Sequence, residues 1–509
     1  MINVLEMLER SAQAYPDAVA FSDPGKSVTF AQLQKRARQI GTIFLGEDAG
    51  DMSAVAFFME KSVDALSVMF GAVHANCFYS FIDVRQPGER ARQMLDTLSP
   101  AYIVTNKENK AVLLEDILSK SPLADKVILI DDLVKKADAA KEDAALLGEA
   151  RNRFYDGMPL YVNFTSGSTG TPKGVAVSHR SVIDFITVFT GTFGIKQNDV
   201  LANQAPFDFD VSVKDIYSGM CMGAKVALIP REYFSNPAVL MDYLCDNKVT
   251  VLVWAVSAMC FVSVMNALDY KTPDSLRMVM FSGEVMPVKQ LAKWRKFLPD
   301  VCYVNLYGPT EITCNCTYHI LGRDECDEVI PIGIPFENEK VFLLDDGDNE
   351  VKEADVPGEI CVCGSCLALG YFKDPERTAA AFMKNPLNTL FDEMMYRTGD
   401  LGKYDENGLL IYCGRKDFQI KHLGQRIELG DIEASACALS GVERTCCLYD
   451  EKRKKIVLFY VGTPEKEELA EGLRDKLPPF MMPGRTVKLE SFALNKNGKI
   501  DRNILRDMM

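Results

Sequence analysis

The densest run of chemically useful residues is TSGSTGTPKG, residues 165 to 174, which holds three glycines, three threonines, two serines and Lys173. Small residues let backbone N–H groups approach anionic oxygens, hydroxyls add donors, and one ammonium offsets negative charge, so the loop suits phosphate. The Walker A pattern of the P-loop nucleotidases needs G-x-x-x-x-G-K-[ST]. Pro172 precedes Lys173 here and Gly174 follows it, so that pattern fails. Four further segments carry acids, bases or aromatic groups: FDFDVSVKD (207–215), NLYGPTE (305–311), YRTGDLG (396–402) and NKNGKIDR (495–502). Taken singly, each has an ordinary structural reading as a solvated aspartate, a turn or a surface lysine.

The surrounding pattern says what must position these residues. From Val28 to about Val239 short β-rich runs alternate with amphipathic helical stretches: SAVAFFM, VDALSVMFGAVHA, AYIVTN, KVILID. That is the βαβ rhythm of parallel sheets covered by helices. YVNF (161–164) reads as a strand leading into the phosphate-type loop, with a helical segment expected after it. Val249 to Leu268 contains no charged residue over the length of a bilayer span. Polar interruptions and the β-branched VTVLVW favour a buried strand and then a buried helix capped by Ser257. Between Lys340 and Tyr371 short strands and turns suggest a small antiparallel or barrel-like unit. Beyond Gly414 the pattern becomes compact α+β, and the 138–153 stretch reads as an exposed helix or linker. The expected fold is α/β: a large N-terminal domain, 1–414, with a β-barrel-like subdomain, and a small mobile α+β domain, 415–509.

Composition limits the function. The chain has 509 residues, enough for about three folding units at roughly 150 residues each. With 71 acidic and 57 basic residues its net charge is −14, the wrong sign for neutralising nucleic-acid phosphates. Fifteen cysteines, an odd number, and an N-terminus without an apolar signal segment point to a reducing cytoplasm. Cys361, Cys363 and Cys366, and Cys314 with Cys316, lack the second ligand pair a zinc site needs, and there are only four histidines, so they read as core thiols.

Taken together and in order, the five motifs resemble the adenylate-forming superfamily, which includes acyl-CoA synthetases and the adenylation domains of nonribosomal peptide synthetases. The resemblance covers essentially the whole chain and implies a two-domain enzyme with a hinge, using ATP and Mg²⁺. It assigns Thr165, Ser166, Gly167, Ser168, Thr169, Gly170 and Lys173 to the phosphates, Tyr307 to adenine, Thr310 to phosphate and Glu311 to Mg²⁺. Asp400 and Arg415 fall at ribose contacts, Asp417 at the hinge and Gly424 at the phosphopantetheine tunnel. Lys499 corresponds to the catalytic lysine that stabilises charge as a carboxylate attacks the α-phosphorus.

FDFDVSVKD resembles the amino-acid-activating branch, in which the residue matching Asp210 binds the substrate α-ammonium. Val211, Lys214 and Ser282 fall at the side-chain pocket. Asp208 occupies a position where a small residue is expected. Acyl-CoA ligases have no use for the Asp210 carboxylate, which leaves that reading as a lesser alternative. A freestanding enzyme, acting on a carrier that is not fused to it, is expected, and with SGEVMP and DFQIK the chain most resembles the D-alanine:D-alanyl carrier protein ligases of teichoic acid D-alanylation. Its partners would be an amino acid and a separate phosphopantetheinylated carrier protein. A freestanding synthetase-type enzyme for another amino acid is the alternative. Lys214 departs from the D-alanine pattern: it turns outward, pairs with Asp215, or meets an acidic or polar substrate side chain. His422-Leu423 also departs from the usual order at the pantetheine face.

Overall fold

Buried β-branched runs and the helices that cover them build two parallel-centred sheets in the computed structural model, which describes residues 1–47, 49–166, 171–323, 329–416, 419–493, 500 and 502–509. In the nine-stranded sheet the strands Cys302–Tyr307, Met278–Ser282, Val251–Ala255, Val200–Asn203, Lys225–Leu228 and Val19–Ser22 lie side by side in that order and parallel, with antiparallel strands at both edges. The seven-stranded sheet places Pro159–Thr165, Phe78–Phe81, Ala54–Phe58, Tyr102–Thr105 and Val127–Leu129 in parallel. Strands such as Ala54–Phe58 are buried at every position, as expected where helices cover both faces.

The phosphate-type loop departs from the expected strand–loop–helix order. Lys173–Ser178 is a strand antiparallel to Pro159–Thr165, pairing Lys173 with Thr165, and the helix His179–Thr192 begins only after it. All six residues of KGVAVS are buried, and the Ser178 hydroxyl accepts from Ser181 N to cap the helix. Residues 167–170 lie outside the described residues. The uncharged run is a buried strand, Val251–Ala255, followed by the helix Val256–Val264. Ser257 is not its cap: the N-cap residue is Ala255, and Ser257 sits inside the first turn. Asn266, in the left-handed region at φ +51°, separates this helix from Ala267–Tyr270. No described helix is long and apolar enough to cross a membrane.

Glu339–Leu344, Gly358–Gly364, Met394–Tyr404 and Leu410–Arg415 belong to a six-stranded antiparallel sheet. Its strand path runs from Glu350–Val351 to Phe382–Lys384, and an Ala354–Tyr404 bridge draws the first end back toward Met394–Tyr404, which gives the unit its barrel-like curl. The C-terminal region has its own cores. The helices Leu429–Cys437 and Lys466–Arg474 pack on a three-stranded sheet through Ile432, Leu458, Tyr460 and Leu473, with Phe459 and Leu505 in a second cluster. A hairpin, Gln419–His422 with Gln425–Glu428, precedes them. Its turn residues Leu423 and Gly424 have φ +53° and +77°, the two-residue turn whose twist matches paired strands. The described cysteines are free thiols, and Cys314, Cys316, Cys361, Cys363 and Cys366 are buried.

Candidate active site

Four parallel strands from the two sheets end at one place. Thr165, Ala255 and Ser282 are the last residues of their strands, and Gly308 follows Tyr307, the last residue of a fourth. Open α/β sheets bind ligands beyond such carboxyl ends, where loops diverge and backbone groups become free. The cleft there encloses about 1100 Å³, mouth included, and the C-terminal region supplies its far wall through Lys421, Gly424, Gln425, Arg426, Phe480 and Met481.

On the phosphate-type side, Glu311 is fully buried. Its Oε1 accepts from the Tyr371 hydroxyl at 2.7 Å and lies 3.5 Å from Lys173 Nζ, while its Oε2 accepts from Arg426 Nη1 at 2.6 Å. Burial alone would raise this carboxyl, but the Arg426 and Lys173 charges outweigh it and hold Glu311 well below the usual carboxylate range. Lys173 is pulled down to about 8, first by burial and then by the neighbouring Arg426 charge, with Glu311 acting the other way. Thr165 Oγ1 and Asn163 Oδ1 are buried at the cleft without a hydrogen-bond partner among the described residues. Ser166 Oγ is taken up by the C-terminal hairpin: it donates to Arg426 O at 2.7 Å and accepts from Glu428 N at 3.0 Å.

Farther along the cleft, Asp400 and Arg415 face one another on paired strands, with Arg415 Nη1 donating to Asp400 Oδ1 at 2.6 Å. The Tyr307 hydroxyl donates to Asp400 Oδ2 at 2.6 Å, and Lys421 Nζ lies 5.4 Å from the centroid of the Tyr307 ring. Tyr307 itself is buried, next to the cleft-lining Gly308.

The opposite side is built on the helix Val211–Met222. Asp210 at its N-cap and Lys214 lie one turn apart, a spacing that puts both side chains on one face. Asp210 is half-buried and lines the cleft beside Val211. Desolvation raises its carboxyl, against the Thr310 hydroxyl hydrogen bond and the Lys214 charge. Lys214 is completely buried, and its Nζ donates to Asn315 Oδ1 at 2.6 Å and Ser282 Oγ at 3.4 Å, both on cleft-lining residues. Two of its three expected placements are thereby corrected: it does not turn outward, and its hydrogen bonds go to Asn315 and Ser282 rather than Asp215. Asp215 Oδ2 accepts from Asn203 Nδ2, and burial pushes that carboxyl up to about 7. Asp208 also lines the cleft, and burial pushes it up to about 7.

Gly424 sits at the tip of the hairpin, its N–H donating to Glu284 Oε1, where an added Cβ would come within 3.4 Å of Ala255 Cβ. Gly167, Ser168, Thr169, Gly170, Asp417 and Lys499 lie outside the described residues. Asn163, Asn315, Tyr371 and Arg426 were not assigned from sequence. Arg426 stands in GQRIEL (424–429), shortly after DFQIK, and lies 2.6 Å from Glu311; the other three carried no local signal.

Mg²⁺ binds through one or two carboxylates plus phosphate oxygens, so a single ionised carboxylate beside a phosphate-type loop fits it in kind. Glu311 would hold it, and the ion would supply charge neutralisation on the phosphates.

The cleft thus offers cations and a hydroxyl without a partner among the described residues on one side, and a carboxylate with a buried ammonium on the other. The chain belongs to the AMP-binding enzyme family, whose model matches residues 8–372. It is 32% identical over 513 residues to an L-proline--[L-prolyl-carrier protein] ligase of Streptomyces coelicolor, covering 97% of this chain and 94% of that protein. It is also 30% identical to tyrocidine synthase 3 of Brevibacillus parabrevis over 99% of this chain, but spans only 8% of that relative's length. A solved NRPS protein containing adenylation and PCP domains superposes with a TM-score of 0.85 at 24% identity, covering 100% of this chain and 84% of that one, which supports the fold.

Proposed function

We propose that the chain activates an amino acid with ATP to an aminoacyl-adenylate and transfers it to the phosphopantetheine thiol of a carrier protein. The observation that carries this reading is the pair on one helix face: Asp210, a desolvated carboxylate suited to an α-ammonium, and Lys214, a buried ammonium one turn away. A buried charge is tolerated when it is paired, so the two call for a substrate carrying an ammonium near a negative or strongly accepting side chain. An amino acid of the aspartate or glutamate class meets both. D-alanine, the substrate suggested by resemblance, needs room for a methyl group only and offers Lys214 nothing.

In this reading Lys173 and Thr165 face the phosphates, Asp400 and Arg415 the ribose, and Tyr307 the base. Thr310 bridges the two halves by holding Asp210 while lying next to Glu311 in sequence. Lys499 would stabilise charge at the α-phosphorus, and Gly424 would leave space for the pantetheine arm. The units 1–414 and 415–509 would change orientation about Asp417 between the two half-reactions. The separate cores of the C-terminal region support such a division. The likeness to a proline:carrier-protein ligase supports the thiol acceptor.

The test is amino-acid-dependent ATP–pyrophosphate exchange with Mg²⁺ across a panel of both enantiomers. Aspartate- or glutamate-class substrates should drive exchange. Strongest exchange with D-alanine would return the substrate to the D-alanyl class, and equal exchange with acetate or a fatty acid would remove the amino-acid reading.

A further inference from the structure

Lys61 lies between the strand Ala54–Phe58 and the helix Val63–His74, at the carboxyl end of the seven-stranded sheet. Its side chain reaches across to the nine-stranded sheet, where the strand Val200–Asn203 ends. There Nζ donates to three successive carbonyls, Asn203 O at 2.9 Å, Gln204 O at 2.9 Å and Ala205 O at 3.2 Å, and to Asn203 Oδ1 at 2.8 Å. These oxygens only accept, and a lysine ammonium, with three donors and no acceptor, is matched to them. The same segment is tied twice more. Asn203 Nδ2 donates to Asp215 Oδ2 at 3.0 Å on the helix Val211–Met222, and Phe207 packs edge-on against Phe81 of the seven-stranded sheet, with ring centroids 5.2 Å apart. Asp208 and Asp210 follow directly, and both line the cleft.

We propose that Lys61 is a positioning residue for the amino-acid end of the cleft: its ammonium gathers the 203–205 carbonyls and so sets where Asp210 meets the substrate α-ammonium. Lys61 is not a cleft-lining residue, so it acts through the segment rather than on the substrate. Without it these carbonyl oxygens, like partial charges drawn to one point, would face each other with no cation between them, and the segment would turn to give them to water. The nucleotide side is independent of this clamp, because Lys173, Glu311 and Asp400 stand on other elements. The inference rests on the amino-acid reading above.

The experiment uses the full chain and measures KM for the amino acid and for ATP separately in pyrophosphate exchange, with hydrogen–deuterium exchange followed on peptides spanning 203–210. The amino acid is aspartate or glutamate, whichever drives wild-type exchange faster. Lys61→Ala should raise the amino-acid KM about 10-fold or more, leave the ATP KM within about 3-fold, and speed amide exchange in 203–210. Propylammonium, which replaces the lost Cγ, Cδ, Cε and Nζ, should restore both, and propanol, of the same shape without the charge, should not. Lys61→Met fills the stem without the donors and should show the same selective loss with no recovery, so the comparison survives an unstable Ala variant. Amino-acid and ATP KM rising together, no recovery with propylammonium, or faster amide exchange in 203–210 with the amino-acid KM unchanged would make Lys61 a general structural support. Each of these overturns the inference and leaves the proposed function standing. Wild-type exchange driven equally by acetate would remove the amino-acid reading, and this inference with it.

Discussion

Replacing Lys214 by Met separates the two substrate classes. Lys214 is completely buried and meets only neutral groups in its hydrogen bonds, Asn315 Oδ1 at 2.6 Å and Ser282 Oγ at 3.4 Å, and burial lowers its ammonium from the usual lysine range. Met has a similar length and volume, so no large cavity forms, and relief of ammonium burial offsets the hydrogen bond lost by Asn315, worth about 1 to 3 kcal/mol. Thermal stability of Lys214→Met should therefore stay close to wild type. An acidic substrate, by contrast, loses its buried partner, which costs about 2 to 5 kcal/mol. At about 1.36 kcal/mol per decade that is a loss of about 30- to 5000-fold in kcat/KM for aspartate- or glutamate-dependent exchange. The assay is ATP–pyrophosphate exchange on wild type and variant with acidic amino acids, their amides and D-alanine, alongside a melting curve. Wild-type activity highest on D-alanine, preserved or improved in Lys214→Met, would refute the assignment of the ammonium to the substrate side chain.

Asp210→Ala should abolish amino-acid-dependent exchange while leaving ATP affinity within about 3-fold, because the phosphate-side contacts lie on other loops; equal loss of both, read by nucleotide titration, would make Asp210 structural. Lys499→Ala should lower adenylate formation about 100-fold or more yet transfer pre-formed adenylate to carrier at a near-normal rate in a single-turnover assay. Asp215 is pushed up to about 7 by burial, so between its unfolded range near 4 and pH 7 the folded chain keeps a proton that the unfolded chain has released. Its contribution to stability is complete below about pH 4 and is lost as the pH rises to 7. Asp215→Asn, which keeps the acceptor for Asn203, should flatten that decline in urea midpoints measured from pH 4 to 8; an unchanged slope would place the titration elsewhere.

Several cleft residues could be picked out from sequence because their signals are local. FDFDVSVKD, NLYGPTE and YRTGDLG supply Asp210, Thr310 and Asp400 to the cleft wall, and Asp210 and Lys214 share a face because an α-helix puts every fourth residue there. The βαβ rhythm likewise follows from periodicity, since strands buried on both faces must read as apolar runs. The sequence could not say that a strand, Lys173–Ser178, would follow the phosphate-type loop, because a short apolar run fits a strand or a helix equally until its neighbours are known. It also left open where Lys214 would point. Only tertiary structure brought Ser282 and Asn315, 68 and 101 residues away, to its ammonium, and Arg426, 115 residues away, to Glu311. Local sequence determines which groups exist and which face they share; the partners that set their charge and orientation are decided by the packing of strand ends from two sheets against a separate C-terminal region.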